Sequence, residues 1–168
     1  MKEIQSKLSQ VRDHLSEHEF PSLDKTSFWY SYLATIKSIQ GNFNNDISFL
    51  ATLMAKQYLG RRYGLQNFDA AEKHQGAPGL DIDVQLPDGQ RLIAEIKTTS
   101  PYKSNDLGAQ QKATFKKDFV KLANAEADVK LFFLTELKTF ELMKKPKHRS
   151  QLSGVTVILL TTNDEFTA

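Results

Sequence analysis

The chain has 168 residues, of which 40% are apolar and 25% are charged, and its formal net charge is +2. This composition suits one globular domain with a buried core and excludes a disordered segment. The sequence contains no cysteine, which excludes disulfides, zinc–thiolate sites and a cysteine nucleophile, so any metal must be held by oxygen atoms or histidine. Short apolar runs and a charged N-terminus favour a cytoplasmic protein without membrane contact.

The N-terminal third of the chain is predicted to be helical. Apolar residues recur every three or four positions until Pro21 stops a first helix, and a second helix is expected to end at Gly41. A third helix is predicted to begin after a cap at Asn44 or Asn45 and to end near Gly60. These helices form an N-terminal helical segment.

Short alternating runs predict a β-hairpin in the middle of the chain. Apolar and polar residues alternate over residues 81–86, a turn follows at residues 87–89, and residues 92–96 form the returning strand. A long helix capped by Asn105 or Asp106 is expected next.

The remaining elements complete an α/β pattern. A strand is predicted over residues 129–135, a short helix over residues 137–143 and a final strand over residues 155–161. A hairpin followed by helical crossovers is typical of an α/β fold in which a mixed β-sheet is flanked by helices.

Two acidic residues and one lysine are expected to converge on the hairpin. Glu95 and Lys97 share one face of the returning strand because side chains alternate with a period of two, and the turn brings Asp81 towards the same face. The carboxylates and the backbone carbonyl of Ile96 are hard oxygen ligands of the kind Mg²⁺ prefers. Lys97 is then placed to position a water molecule and to stabilise charge on a phosphate. The alternative is a surface hairpin with an ordinary cross-strand ion pair.

A second Glu-x-Lys occurs at Glu136 and Lys138, and its context differs. The acidic residues upstream of it, Asp118 and Asp128, fall inside and at the end of a predicted helix, so neither begins a strand that could pair with Glu136. We therefore interpret Glu136 and Lys138 as a solvated exit from a strand.

The chain resembles the PD-(D/E)xK nuclease superfamily, which includes most type II restriction endonucleases. The matching segments are Gly79-Leu80-Asp81-Ile82 and Ile93-Ala94-Glu95-Ile96-Lys97-Thr98-Thr99, with Leu80 in place of the motif's proline. The resemblance implies a restriction-endonuclease-like fold, Mg²⁺ as cofactor, and cleavage that leaves a 3′-hydroxyl and a 5′-phosphate. It also implies Asp81, Glu95 and Lys97 as catalytic residues, with Asp81, Glu95 and Ile96 as the metal ligands.

Further residues are weaker candidates for roles around this site. Asp46 resembles an auxiliary acidic residue of some superfamily members, although an acid in a first helical turn is more often a cap or complements the helix dipole. Phosphate contacts are expected from four residues near the start of the helix after the hairpin, where helix solubility is the alternative: Lys103, Gln110, Gln111 and Lys112.

Together these observations predict a magnesium-dependent endonuclease that acts on double-stranded DNA, in the form of a sequence-specific type II restriction endonuclease. A repair or recombination nuclease of the same fold and a non-cutting nucleic-acid-binding module are the alternatives. We treat residues 1–168 as a single domain, with 43–160 as the catalytic core and 1–42 as helices for dimerisation or DNA contact. A homodimer is expected because cutting both strands of a symmetric site requires two active sites.

Overall fold

The structure, a computed structural model, describes residues 1–66, 68–69, 78–103 and 105–168. The chain divides into two compact units, Met1–Asp46 and Ile47–Ala168. In the described part of the chain, no helix is long and apolar enough to cross a membrane.

The first unit is helical, as the apolar spacing predicted. It contains α1 (Lys2–Glu17), α2 (Thr26–Gln40) and the beginning of α3 (Phe43–Tyr63). None of the residues of α1 is buried, and Tyr32 is the buried residue of α2. The aromatic rings of Phe20 and Trp29 both lie near the Tyr32 ring, with centroids 5.8 and 6.2 Å from it. Ring packing, rather than a deep aliphatic core, therefore joins the elements of this unit.

The predicted ends of α3 were wrong. The helix begins at Phe43, so Asn44 and Asn45 lie inside its first turn and do not cap it, and it continues three residues beyond Gly60. Gly60 takes ordinary helical geometry, and the left-handed conformation that ends the helix is adopted by Gly64 with φ 67°.

The second unit is built on a five-stranded mixed sheet. The strands lie in the order in which they occur along the chain: β1 (Ile82–Gln85), β2 (Arg91–Lys97), β3 (Val129–Leu134), β4 (Thr156–Leu159) and β5 (Asp164–Thr167). β1 is antiparallel to β2, β3 is parallel to both β2 and β4, and β5 is antiparallel to β4. The predicted hairpin, the two later strands and the mixed α/β character are confirmed.

Helices cover both faces of this sheet. On one face, Ala55, Tyr58 and Leu59 of α3 pack on Leu92 and Ala94 of β2 and on neighbouring residues of β3 and β4. The opposite face is covered by α4 (Ala109–Asn124) and α5 (Leu137–Met143), and the short α6 (Pro146–Arg149) follows α5. Even-numbered positions of β2 thus face α3, and odd-numbered positions face α4.

The start of α4 and the last strand differ from the sequence prediction. α4 begins at Ala109, and its N-cap residue Gly108 is held by the side chain of Gln111, whose Oε1 accepts a hydrogen bond from the Gly108 amide at 2.9 Å. Asn105 and Asp106 therefore do not cap this helix. β5 was not predicted, because its residues are exposed or half-buried and it lacks an apolar run.

Candidate active site

The register of the β1–β2 hairpin places Asp81 beside Glu95. Ile82 pairs with Ala94, and continuing the antiparallel register by one residue sets Asp81 opposite Glu95. The Asp81 side chain is also held in place, because its Oδ2 accepts a hydrogen bond from the backbone amide of Ile96 at 2.8 Å. This bond fixes the carboxylate at the edge of β2, where β1 has not yet begun.

The carbonyl of Ile96 points towards that same edge. The carbonyl of the next residue, Lys97, accepts a hydrogen bond from the Thr135 amide at 3.2 Å, on the β3 side of the strand. Successive carbonyls along a strand point to opposite edges, so the Ile96 carbonyl is directed to the β1 side, as is its amide. Three oxygen donors, from Asp81, Glu95 and Ile96, thus belong to one end of the hairpin.

Glu95 is a buried acid, with 1% of its surface exposed. It is paired across the parallel ladder with Phe132, whose ring lies 5.4 Å from that of Phe119 on α4. Removal from water raises the pKa of Glu95 to about 7, and the nearby carboxylates of Asp81 and Asp118 add to the rise, while a hydrogen bond from Lys121 opposes it. Glu95 therefore changes its charge near neutral pH.

Two residues of α4 complete a chain of charges across the site. Asp118 is 4% exposed, and its Oδ2 lies 2.8 Å from Nζ of Lys97. Its Oδ1 lies 3.4 Å from Nζ of Lys121, which donates to Glu95 Oε1 at 2.9 Å and to the Gly79 carbonyl at 3.0 Å. Although burial lowers the pKa of Lys121, the carboxylates of Glu95 and Asp118 raise it above its ordinary value overall. Lys121 is thus a cation held directly on the candidate ligand Glu95.

The donor set fits a magnesium ion that keeps part of its water shell. Among the residues that the structure describes, no three His, Cys, Asp or Glu side chains are grouped so as to hold a metal. Asp81 and Glu95 supply two carboxylates and Ile96 supplies a carbonyl, and Mg²⁺ is commonly bound through one or two carboxylates with water in its other positions. A site made only of oxygen donors suits a hard cation better than zinc, which more often takes nitrogen and sulfur ligands.

Asp46 belongs to the first unit and has a structural partner there. Its Oδ2 lies 3.0 Å from Nζ of Lys7 on α1, and the Lys7 ammonium also lies 3.1 Å from Glu3. These interactions raise the pKa of Lys7, with the Asp46 hydrogen bond as the largest cause. The ion pair accounts for Asp46 at this position, and its auxiliary role at the metal site stays a prediction.

The four residues predicted to contact phosphates differ in their surroundings. Lys103 and Gln110 are exposed, and Lys112 pairs with Asp106 at 2.6 Å. Gln111 is buried: its amide nitrogen donates to the Ser100 carbonyl at 2.8 Å, and its oxygen accepts from the amides of Tyr102 and Gly108. These bonds use Gln111 to hold the loop before α4, and a phosphate contact by any of the four residues stays a prediction.

The second Glu-x-Lys has a different geometry from the first. Glu136 directly precedes α5 and Lys138 lies within that helix, so the two residues do not share a strand face. Lys138 is exposed and Glu136 is half-buried. The strand context that distinguished Glu95 in the sequence is thus present in the structure at Glu95 and missing at Glu136.

Asp118 and Lys121 were not identified from the sequence as part of the site. A signal for Asp118 was present, because it lies three residues after Phe115 and four before Leu122, in the middle of the apolar face of α4. An acid at such a position needs a partner on the sheet, and Lys97 is that partner. Lys121 offered no comparable signal among the many lysines of this helix.

Comparison with known proteins gave no significant match among protein-family models, curated proteins or solved structures.

Proposed function

We propose that this protein is a magnesium-dependent endonuclease that hydrolyses phosphodiester bonds of double-stranded DNA. The observation that carries the proposal is the juxtaposition of Asp81, Glu95 and the Ile96 carbonyl at one end of the hairpin, with Lys97 on the same strand face as Glu95. Two carboxylates and an ammonium held at the end of a hairpin suit phosphoryl chemistry, which requires a bound cation and a fixed positive charge near the phosphate.

Each residue has a distinct role in this proposal. Asp81, Glu95 and the Ile96 carbonyl would hold Mg²⁺, which when bound polarises the scissile phosphate and makes a water molecule more acidic. The hydrogen bond from the Ile96 amide fixes the orientation of Asp81 before any ligand arrives. Lys97 would stabilise the negative charge that builds on the phosphate oxygens and would orient the attacking water.

The burial of Glu95 favours the binding of a divalent cation. A buried carboxylate beside Phe132 interacts more strongly with a cation than an exposed one would, because the local dielectric is lower. The same burial strengthens the repulsion between the carboxylates of Glu95 and Asp81 when no metal is bound. A divalent cation removes this repulsion, which favours its binding.

We also propose that the fold is restriction-endonuclease-like. The order of a hairpin, a helix and a parallel strand supports it, together with the motif residues Asp81, Glu95 and Lys97. We further propose that the protein acts as a type II restriction endonuclease and as a homodimer. Two copies would supply the two active sites that a symmetric duplex site requires.

Incubation with plasmid and phage DNA, in Mg²⁺ or in EDTA, tests this proposal. We expect discrete fragments with Mg²⁺ and intact DNA with EDTA. A smear of random fragments would favour a non-specific repair nuclease, and binding without cutting would favour a nucleic-acid-binding module.

Matched lysine variants make the same assay specific for the site. Lys97→Met removes the ammonium beside Glu95, and Lys138→Met removes the exposed lysine of the second Glu-x-Lys. We expect loss of cutting from the first variant and near-normal cutting by the second. Equal activity of the two variants would contradict the proposed role of Lys97.

A further inference from the structure

We propose that Lys121 is an internal counter-cation that occupies Glu95 when no metal is bound and competes with the metal ion for that carboxylate. This inference rests on the proposed metal site at Asp81, Glu95 and Ile96. It assigns to α4 a role in setting the affinity of that site for metal, in addition to its role in packing against the sheet.

The contacts of Lys121 support this role. Its ammonium lies 2.9 Å from Glu95 Oε1, so it occupies one of the two oxygens of a proposed metal ligand. It also donates to the Gly79 carbonyl, two residues before Asp81. A cation here offsets part of the repulsion between the carboxylates of Asp81 and Glu95, which a metal ion would otherwise have to remove.

The ammonium has an alternative position when it leaves Glu95. Asp118 Oδ1 lies 3.4 Å from Lys121 Nζ, one helical turn away on α4. The Lys121 side chain is 39% exposed, so its ammonium reaches water without unpacking the core. Displacement of Lys121 by a metal ion therefore breaks its contact with Glu95 while its contact with Asp118 remains, and it leaves no buried charge unpaired.

Competition between two cations predicts a measurable change in affinity. Removing the charge of Lys121 frees Glu95 for the metal and also makes the potential at the site more negative, and both effects favour a divalent cation. An ion pair at this distance corresponds to about a tenfold change in a binding constant even in a water-like dielectric, and the burial of Glu95 makes this a lower limit. We expect Lys121→Gln to bind metal at least about tenfold more tightly than the wild-type protein.

The test uses Mn²⁺ alone as the probe, with the full chain and without DNA. The loss of the electron paramagnetic resonance signal of free Mn²⁺ reports binding, because Mn²⁺ accepts the same oxygen ligands as Mg²⁺. Titration at about pH 8 lies above the wild-type pKa of Glu95, about 7, and so limits the protonation of this acid, which becomes harder to deprotonate when Lys121 is lost. Lys117→Gln, which removes an exposed lysine of the same helix, is the matched control.

A second measurement distinguishes a change in metal binding from a folding defect. Ligand that binds only the folded state raises the temperature of unfolding, so the rise caused by Mn²⁺ reports binding independently of the resonance signal. Tighter Mn²⁺ binding by Lys121→Gln, with Lys117→Gln within about twofold of wild type, would support the inference. Unchanged or weaker binding by Lys121→Gln, where the wild-type protein binds Mn²⁺, would overturn the inference alone. Absence of binding by every protein would overturn the metal site and this inference together.

Discussion

The ammonium of Lys97 lies 2.8 Å from Oδ2 of Asp118, and the two side chains are 17% and 5% exposed. This pair joins β2 to α4 across the end of the sheet that carries Glu95. A lysine held by a buried acid has few alternative rotamers, so its ammonium is fixed near the candidate metal ligands. Asp118 is therefore a positioning residue for Lys97.

Replacement of this acid should reduce stability. Asp118→Asn leaves the half-buried Lys97 ammonium without its carboxylate, and we expect a loss of about 2–3 kcal/mol in the free energy of unfolding. Glu141→Gln breaks the ion pair with Lys144 on the exposed surface, where we expect at most about 0.5 kcal/mol. Urea denaturation of both variants measures the difference, and equal losses would contradict a positioning role based on burial.

The contribution of Glu95 to the stability of the protein should fall as the pH rises from about 4.5 to about 7. The pKa of Glu95 is about 7 in the folded protein and near its ordinary value of 4.5 in the unfolded chain. The folded state therefore holds the proton more tightly, and the stabilisation present below about pH 4.5 is lost as the pH rises to about 7. The loss should be on the order of 3 kcal/mol.

The variant Glu95→Gln isolates this contribution, because glutamine has the same shape and no titrating proton. Urea denaturation in EDTA between about pH 4 and pH 8 should show wild type losing stability relative to the variant. A difference between the two proteins that does not change with pH would show that Glu95 titrates at its ordinary pKa.

Neighbouring glutamines at the start of α4 should behave differently. Gln111 makes hydrogen bonds to Ser100, Tyr102 and Gly108, and Gln111→Ala should cost about 1–3 kcal/mol by leaving buried polar groups without partners. Gln110 is exposed, and Gln110→Ala should change stability by at most about 0.5 kcal/mol. Thermal unfolding compares the two variants. If Gln110→Ala proved the more damaging, the assignment of Gln111 as the residue holding the loop would be wrong.

The hairpin could be predicted from the sequence because its signals are local. Alternating side chains, a turn and a returning apolar strand fix the register, and the register brings Asp81 next to Glu95. The mixed sheet followed from the same kind of signal, in apolar runs such as β3.

Features that depend on contacts between distant residues could not be predicted in this way. The pairing of Lys97 with Asp118 and of Glu95 with Lys121 requires the orientation of α4 on the sheet, which the spacing of its residues does not give. β5 has no strand signal of its own. It is held by its pairing with β4 and by a hydrogen bond from the Tyr58 hydroxyl to Glu165 at 2.6 Å. The start of α4 was misplaced for a different, local reason, since the side chain of Gln111 caps the helix from inside it.

The most direct test of the proposed site compares Glu95→Gln with Glu136→Gln in the cleavage of supercoiled plasmid DNA. Both changes replace a glutamate in a Glu-x-Lys sequence by its neutral isostere, but only Glu95 lies beside Asp81 and the Ile96 carbonyl. We expect Mg²⁺-dependent cutting by the wild-type protein and by Glu136→Gln, and a rate at least about 100-fold lower for Glu95→Gln. Cutting by Glu95→Gln at the wild-type rate would contradict the assignment of the active site.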